Sequence, residues 1–179
     1  MRTRVGYTGG EKVDPTYRAL GDHTEAFEVD FDPEVLSYAE LLELFWKSHN
    51  PCARPWSRQY RSAVFYHDET QRKLAEESAA RIASERGAPV QTLIEQVDRF
   101  YLAEDYHQKY RLRRHVDLAG ELLEIYPALE DFVNSTAATR LNGYLAGYGS
   151  RADLERDLPR LGLSEDAQAR LLAGFSGSE

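Results

Sequence analysis

The chain is long enough for one compact domain with a hydrophobic core, because it has 179 residues of which 42% are hydrophobic and 29% are charged. Its formal net charge is −8 at pH 7. Nucleic-acid phosphates and anionic membranes would be repelled by this charge, so neither is expected as a partner. No apolar run approaches the roughly 18 to 20 residues of a membrane-spanning helix, and residues 1–10 lack the apolar centre of a secretion signal. We expect a cytoplasmic protein.

A single cysteine, Cys52, limits the redox chemistry that the chain can perform. One thiol permits neither an intramolecular disulfide nor a CxxC pair, and it cannot build a thiolate zinc site. Any thiol reaction must therefore use Cys52 together with an external partner.

The N-terminal part of the sequence predicts strands interleaved with helices. In chain order the patterns predict a strand over 3–7, a turn at Gly9 and Gly10, a short helix from Asp14 and Pro15, a strand over 24–31, a helix with a Ser37–Glu40 capping box, a strand over 59–66, a helix from Asp68 to Gly87 and a strand over 90–97. Some of these elements are joined too closely for parallel crossovers, which favours an α+β fold with a mixed sheet.

The alternation of residues in the 24–31 strand indicates which side of it is buried. Glu25 has the same parity as the apolar residues Phe27, Val29 and Phe31. Because side chains alternate between the two faces of a strand, this pattern predicts that Glu25 lies on the apolar face.

The C-terminal part is helical in pattern from Glu104 onward. Breaks in the pattern occur at Pro127, at 147–149 and at 159–162, where proline and glycine interrupt it. We expect this part to pack as a helical appendage.

Two residues stand out as candidates for catalysis. Cys52 lies in a loop with Arg54 and Arg58, and neighbouring positive charge favours the thiolate. A carboxyl on an apolar face, such as that of Glu25, would have a raised pKa and could act as a general acid. The alternatives are a cysteine that only packs and a carboxylate that is paired with an arginine.

Aromatic residues could complete a pocket around these two. Tyr7 and Tyr60 offer phenol donors that could polarise an oxygen, although tyrosines at such positions often serve packing alone. Trp56, in the Cys52 loop, could contact a methyl group, whereas Trp46 lies on the apolar stripe of its helix and is expected in the core.

No metal site is predicted. Glu104 and His107 have the spacing of half a di-metal carboxylate site, but no second copy occurs and the five histidines are scattered. The sequence also has no serine nucleophile elbow and no dinucleotide-binding fingerprint.

Several segments in order resemble the A-type peptide methionine sulfoxide reductases. They are VGYTGG at 5–10, DPTYRALGDHTEAFEVDFDP at 14–33, SYAELLELFWKSHNP at 37–51, QYRSAVFY at 59–66 and FYLAEDYHQKY at 100–110. In that family a cysteine thiolate attacks the sulfoxide sulfur, while a glutamate and two tyrosines hold and protonate the oxygen. The resemblance implies reduction of methionine S-sulfoxide, free or in proteins, as a repair of oxidative damage.

The resemblance also implies where the functional residues lie. The glutamate would be Glu25 and the tyrosines Tyr7 and Tyr60. The residues themselves, and not the resemblance, nominate Cys52 as the attacking thiol and Gly9, Gly10 and Trp56 as substrate contacts. No bound cofactor is expected, and the reductant would be an external thiol such as thioredoxin.

For the architecture, we predict an α+β two-layer sandwich with a mixed sheet and a ferredoxin-like core. The reductase-like domain would span 1–115, and a helical C-terminal extension would span 116–179.

The chain departs from the family pattern at its N-terminal end. The Gly-Cys-Phe-Trp motif of the family precedes VGYTGG, and here only four residues do so. Three interpretations follow: Cys52 is a relocated nucleophile; the nucleophile lies upstream of Met1; or the domain is an inactive binding module.

Overall fold

The computed structural model describes residues 1–57 and 59–177, which form an α+β fold, as the sequence predicts. The strands are β1 (Arg2–Thr8), β2 (Thr24–Asp30), β3 (Ala63–Tyr66), β4 (Leu93–Gln96) and β5 (Tyr101–Leu102). The helices are α1 (Tyr38–Lys47), α2 (Glu69–Arg86), α3 (Tyr110–Arg113), α4 (Val116–Ile125), α5 (Leu129–Asn134), α6 (Thr136–Tyr144), α7 (Arg151–Asp157) and α8 (Glu165–Gly174).

The strands form two small sheets, whereas the sequence predicts one mixed sheet. The first sheet has the order β2-β1-β5, and β5 runs antiparallel to β1 with Gly6 opposite Leu102. In the second sheet β3 and β4 are parallel, with Ala63 opposite Leu93. The long helix α2 lies between β3 and β4 in the chain and supplies the crossover that a parallel pair requires.

The predicted ends of the two N-terminal helices are confirmed. Ser37 accepts a hydrogen bond from the Glu40 amide, and the Glu40 carboxylate accepts one from the Ser37 amide, which completes a capping box for α1. Asp68 caps the start of α2, and Gly87 ends it with a φ of +62°. That left-handed conformation favours glycine.

The short helix predicted at Asp14 and Pro15 is wrong. This segment forms turns with an isolated bridge between Thr16 and Ala19. Asp14 has a φ of +49°, whereas a helix N-cap requires an extended backbone. The strand predicted over 59–66 is shorter than expected, because it begins at Ala63.

The chain divides into two compact units. The first unit contains residues 5–27 and 31–103, and the second contains residues 1–4, 28–30 and 104 onward. The predicted domain boundary between residues 115 and 116 stays a prediction.

Each unit has its own hydrophobic core. In the first unit α1 and α2 pack Trp46 and Leu42 against Val64 and Ile82, which confirms that Trp46 belongs to the core. The second unit buries a larger set of side chains from α3 to α8, including Leu112, Leu122, Phe132, Leu141 and Leu154, which are fully buried. Among the described residues no helix is both long enough and apolar enough to cross a membrane.

Candidate functional site

The Glu25 side chain lies on the exposed face of β2, so its predicted position on a buried face is wrong. Phe27, two residues along, is 66% exposed, while Thr24 is 2% exposed. The alternation itself is present, but polar contacts decide which face is covered. Arg61 Nε donates a 2.6 Å hydrogen bond to Thr24 Oγ1. This contact holds the face of β2 that carries Thr24 toward the protein interior, so the opposite face, which carries Glu25, is exposed.

Gln59 holds Glu25 in place through two hydrogen bonds. The Gln59 Nε2 atom donates to Glu25 Oε1 at 2.6 Å, and the Glu25 amide donates to the Gln59 carbonyl at 3.4 Å. The side chain of Glu25 is therefore restricted to one orientation although it is exposed. The sequence pattern did not single out Gln59, because a glutamine in a turn carries no motif of its own.

Tyr60 lies beside this carboxylate. Its ring is stacked on that of Trp56, with the centroids 4.8 Å apart and the planes at 19°. Trp56 is 82% exposed and Tyr60 is 46% exposed, so the stacked pair presents an accessible aromatic surface. Such a surface offers favourable contacts to sulfur and methyl groups.

Tyr17 is a second phenol of the site that sequence reasoning did not assign. It shares a side-chain hydrogen bond with Tyr60 and is 42% exposed. Partial desolvation is the main cause that raises the pKa of Tyr60 above its usual value, and the electrostatic effects of the nearby Tyr17 and Glu25 raise this pKa further. Tyr60 therefore keeps its proton at neutral pH and can donate it in a hydrogen bond. We call Tyr17, Glu25, Gln59, Tyr60 and Trp56 the Glu25 cluster.

Tyr7 lies elsewhere, in a small buried group. It is 2% exposed and packs with Leu20 and Ala103. A phenol must be accessible to donate a hydrogen bond to a substrate oxygen. The buried position of Tyr7 therefore favours a packing role over substrate contact. Its role as an oxygen donor stays a prediction.

Cys52 is half-buried against the connection between α2 and β4. Its Sγ lies 3.7 Å from the Ala88 carbonyl, and its amide donates to Asn50 Oδ1 at 3.1 Å. Among the described residues, these contacts do not join Cys52 to Glu25 or Tyr60. Arg58, one of the arginines expected near the thiol, lies outside the described residues.

The glycine pair after β1 is packed against protein groups. Gly9 has a φ of +76°, and a Cβ there would lie 2.7 Å from the Phe65 ring. A Cβ on Gly10 would lie 2.5 Å from Asp22 Oδ1. Glycine is therefore required at both positions to let the backbone approach these groups. Substrate contact by the pair stays a prediction.

Arg61 connects this turn to both sheets. Its guanidinium donates to Thr24 on β2 at 2.6 Å and to the Gly9 carbonyl at 3.3 Å. It also pairs with Glu95 on β4 at 2.8 Å. The Arg61 side chain is only 8% exposed, so these contacts hold the Gly9 turn and β2 from the interior of the protein.

Metal ligation finds no support in the described part of the chain. Residues 1–57 and 59–177 contain no group of three or more histidine, cysteine, aspartate or glutamate side chains arranged to hold an ion. Glu104 and His107 approach each other only to 4.0 Å.

Comparison with known proteins matches the sequence of this chain to one family. The profile described as "Peptide methionine sulfoxide reductase" matches residues 1–141. The peptide methionine sulfoxide reductase of Drosophila melanogaster is 47% identical over 167 residues, which are 92% of this chain and 66% of that protein. Peptide methionine sulfoxide reductase A5 of Arabidopsis thaliana is 39% identical over 82% of this chain and 59% of its own length.

Solved structures agree in fold. Mxr1 from Saccharomyces cerevisiae in reduced form matches with a TM-score of 0.58 and 28% identity, over 64% of this chain and 71% of that one. Methionine sulfoxide reductase A of Corynebacterium diphtheriae matches with a TM-score of 0.53 and 30% identity, over 64% of this chain and 63% of that one.

The α+β fold thus presents an exposed, oriented carboxylate beside accessible phenols. The chain belongs to the peptide methionine sulfoxide reductase family. It spans less than two thirds of the length of these curated relatives, 66% of the Drosophila protein and 59% of the Arabidopsis protein.

Proposed function

We propose that this chain reduces methionine S-sulfoxide, free or in proteins, to methionine with electrons from an external thiol. The observation that carries the proposal is the Glu25 cluster. In it Gln59 Nε2 donates a 2.6 Å hydrogen bond to the Glu25 carboxylate, and Tyr17 and Tyr60 share a side-chain hydrogen bond. A sulfoxide oxygen carries partial negative charge, so phenol donors bind it and a carboxylic acid can protonate it.

Each member of the cluster has a role in this chemistry. Tyr60 and Tyr17 donate hydrogen bonds to the oxygen, and Glu25 is the residue that passes a proton to it. The Trp56 face contacts the methyl group on the sulfur. Tyr7 lies in the buried group with Leu20, so we assign the second phenol to Tyr17.

The thiol of the reaction is that of Cys52. Its thiolate attacks the sulfoxide sulfur while Glu25 protonates the oxygen, which passes to the cysteine and leaves methionine and a sulfenic acid. Two thiol groups of the reductant then convert the sulfenic acid to thiol and water and form one disulfide between themselves. A thioredoxin-like dithiol in the cytoplasm suits this step, and no prosthetic group takes part.

The proposal requires the Cys52 loop to rearrange. In the structure the Cys52 Sγ contacts the Ala88 carbonyl. The same loop carries Trp56 and runs directly into Tyr60, so a change in its conformation would move the thiol relative to the cluster.

Turnover of methionine S-sulfoxide with dithiothreitol tests the proposal, with the R epimer as control. We expect activity on the S epimer alone, its loss in Cys52→Ser, and about a hundredfold lower kcat/KM in Glu25→Gln, the scale of general-acid catalysis. Glu34→Gln removes an equally exposed carboxylate on a turn and should leave activity unchanged. An active Cys52→Ser enzyme would overturn the role of this thiol.

The contact between Cys52 and Ala88 favours a second candidate function, the binding of methionine sulfoxide without turnover. In that case the folded chain would bind the S epimer, Glu25→Gln and Tyr60→Phe would weaken binding, and no methionine would form. Calorimetry on these variants measures the binding, and the absence of methionine in the turnover assay distinguishes this function from reduction.

A further inference from the structure

A cavity of about 310 Å³ lies in the helical second unit. Tyr126, Thr136, Arg140, Asp157, Arg160 and Leu161 line it. Both polar and apolar groups therefore face the same space, which is large enough for a small organic molecule.

The one carboxylate of this lining is already engaged by protein groups. Asp157 is 3% exposed and accepts a 2.6 Å hydrogen bond from the Tyr144 hydroxyl. It is also paired with Arg140, and Arg156 lies 3.7 Å away. The negative charge of Asp157 is therefore compensated, and the guanidinium of Arg140 is held in a fixed position.

Arg160 differs from Arg140 in its surroundings. Within the described part of the chain Arg160 makes no ion pair, although it faces the same cavity as Asp157. The lining thus carries one net positive charge on a chain whose total charge is −8. An anion would therefore be attracted to this cavity by its own arginines, because the electric field of the whole protein is negative.

We propose that this cavity binds a phosphate monoester of a small organic molecule. The phosphate lies between the guanidinium groups of Arg140 and Arg160, whose planar arrays of donors suit its oxygens. The Thr136 hydroxyl provides a third donor. The organic group packs on Tyr126 and Leu161, because a phosphate alone would leave much of the space unfilled. This site is independent of the reductase proposal.

Isothermal titration of the full chain with phenyl phosphate, at constant ionic strength, tests the site. Arg160→Gln should weaken binding about tenfold, because one charge-assisted hydrogen bond is lost. The variant should fold normally, since Arg160 is exposed. Arg111→Gln, which removes an exposed arginine of α3 outside the cavity, should bind as the wild type does. Arg140 is unsuitable as a test, because it also holds Asp157.

Two further ligands separate the possible sources of binding. Benzoate keeps the ring and replaces the phosphate by a carboxylate, and inorganic phosphate keeps the anion without the ring. Both should bind at least tenfold more weakly than phenyl phosphate. Equal binding of inorganic phosphate, equal weakening by both arginine variants, or no binding of phenyl phosphate would each overturn the proposal.

Discussion

The carboxamide of Gln59 and the carboxylate of Glu25 form a 2.6 Å hydrogen bond between a turn and a strand. The backbone of the same two residues adds a second contact at 3.4 Å, from the Glu25 amide to the Gln59 carbonyl. Glu25 is exposed, and an exposed carboxylate without partners would sample several rotamers. Gln59 therefore acts as the positioning residue for the proposed proton donor.

The first prediction concerns this contact. Gln59→Leu should lower kcat/KM for methionine S-sulfoxide about tenfold, because Glu25 loses its fixed orientation. The loss should appear mainly in kcat, and Gln59→Glu should not restore it because two carboxylates would repel each other. Gln96→Leu, an equally drastic change at an exposed site on β4, serves as the control. Wild-type kinetics in Gln59→Leu would remove Gln59 from the mechanism.

The two tryptophans should behave oppositely on truncation. Trp46 is 2% exposed and donates a 2.9 Å hydrogen bond to Ser78, so Trp46→Ala should lower the free energy of unfolding by about 3–5 kcal/mol. Trp56 is 82% exposed, and Trp56→Ala should change the free energy of unfolding by less than about 0.5 kcal/mol. Urea unfolding measures both, and titration with substrate should show weaker binding for folded Trp56→Ala. Strong destabilisation by Trp56→Ala would mean that the loop is part of the core.

Arginines in different surroundings should differ in their contribution to stability. Arg61 is nearly buried and binds Thr24, Gly9 and Glu95, so Arg61→Ala should cost about 3 kcal/mol, since it leaves several buried groups unpaired. Arg72 also contacts two carboxylates, but on the surface of α2, and Arg72→Ala should cost less than about 1 kcal/mol. Equal losses in denaturant unfolding would contradict the structural role of Arg61.

Lys109 should make stability depend on pH in the alkaline range. Its ammonium is buried and donates to the Thr3 carbonyl and hydroxyl at 2.5 and 2.9 Å. Burial, together with the nearby charge of Arg4, lowers its pKa from 10.5 to about 8. The unfolded chain therefore binds more protons than the folded chain between these two values, so stability rises with pH across this window.

From pH 7 to pH 9 the contribution of Lys109 should rise by about 1 kcal/mol, and Lys109→Met should lack this increment. Lys73→Met replaces an exposed lysine of α2 and should keep the wild-type slope. Urea unfolding at the two pH values provides the measurement. The same pH slope in wild type and Lys109→Met would show that Lys109 is not the responsible group.

Local sequence signals predicted the helix ends of the first unit well. The capping box of Ser37 and Glu40 and the Asp68 and Gly87 caps depend on contacts within one turn, and all four act as expected. The Asp14–Pro15 signal failed because Asp14 adopts a positive φ in a turn, which no neighbouring residue in the sequence indicates.

The sequence by itself determined the fold class and the segments that resemble the family, because these depend on residue order. The resemblance of those segments then nominated Glu25 and Tyr60. Only the tertiary structure decided which face of β2 is covered, since Arg61 reaches Thr24 from 37 residues away. It also joined Tyr17 to Tyr60 and set the Cys52 thiol against Ala88. Such contacts join residues far apart in the chain, and periodicity carries no information about side chains that meet only after the chain has folded.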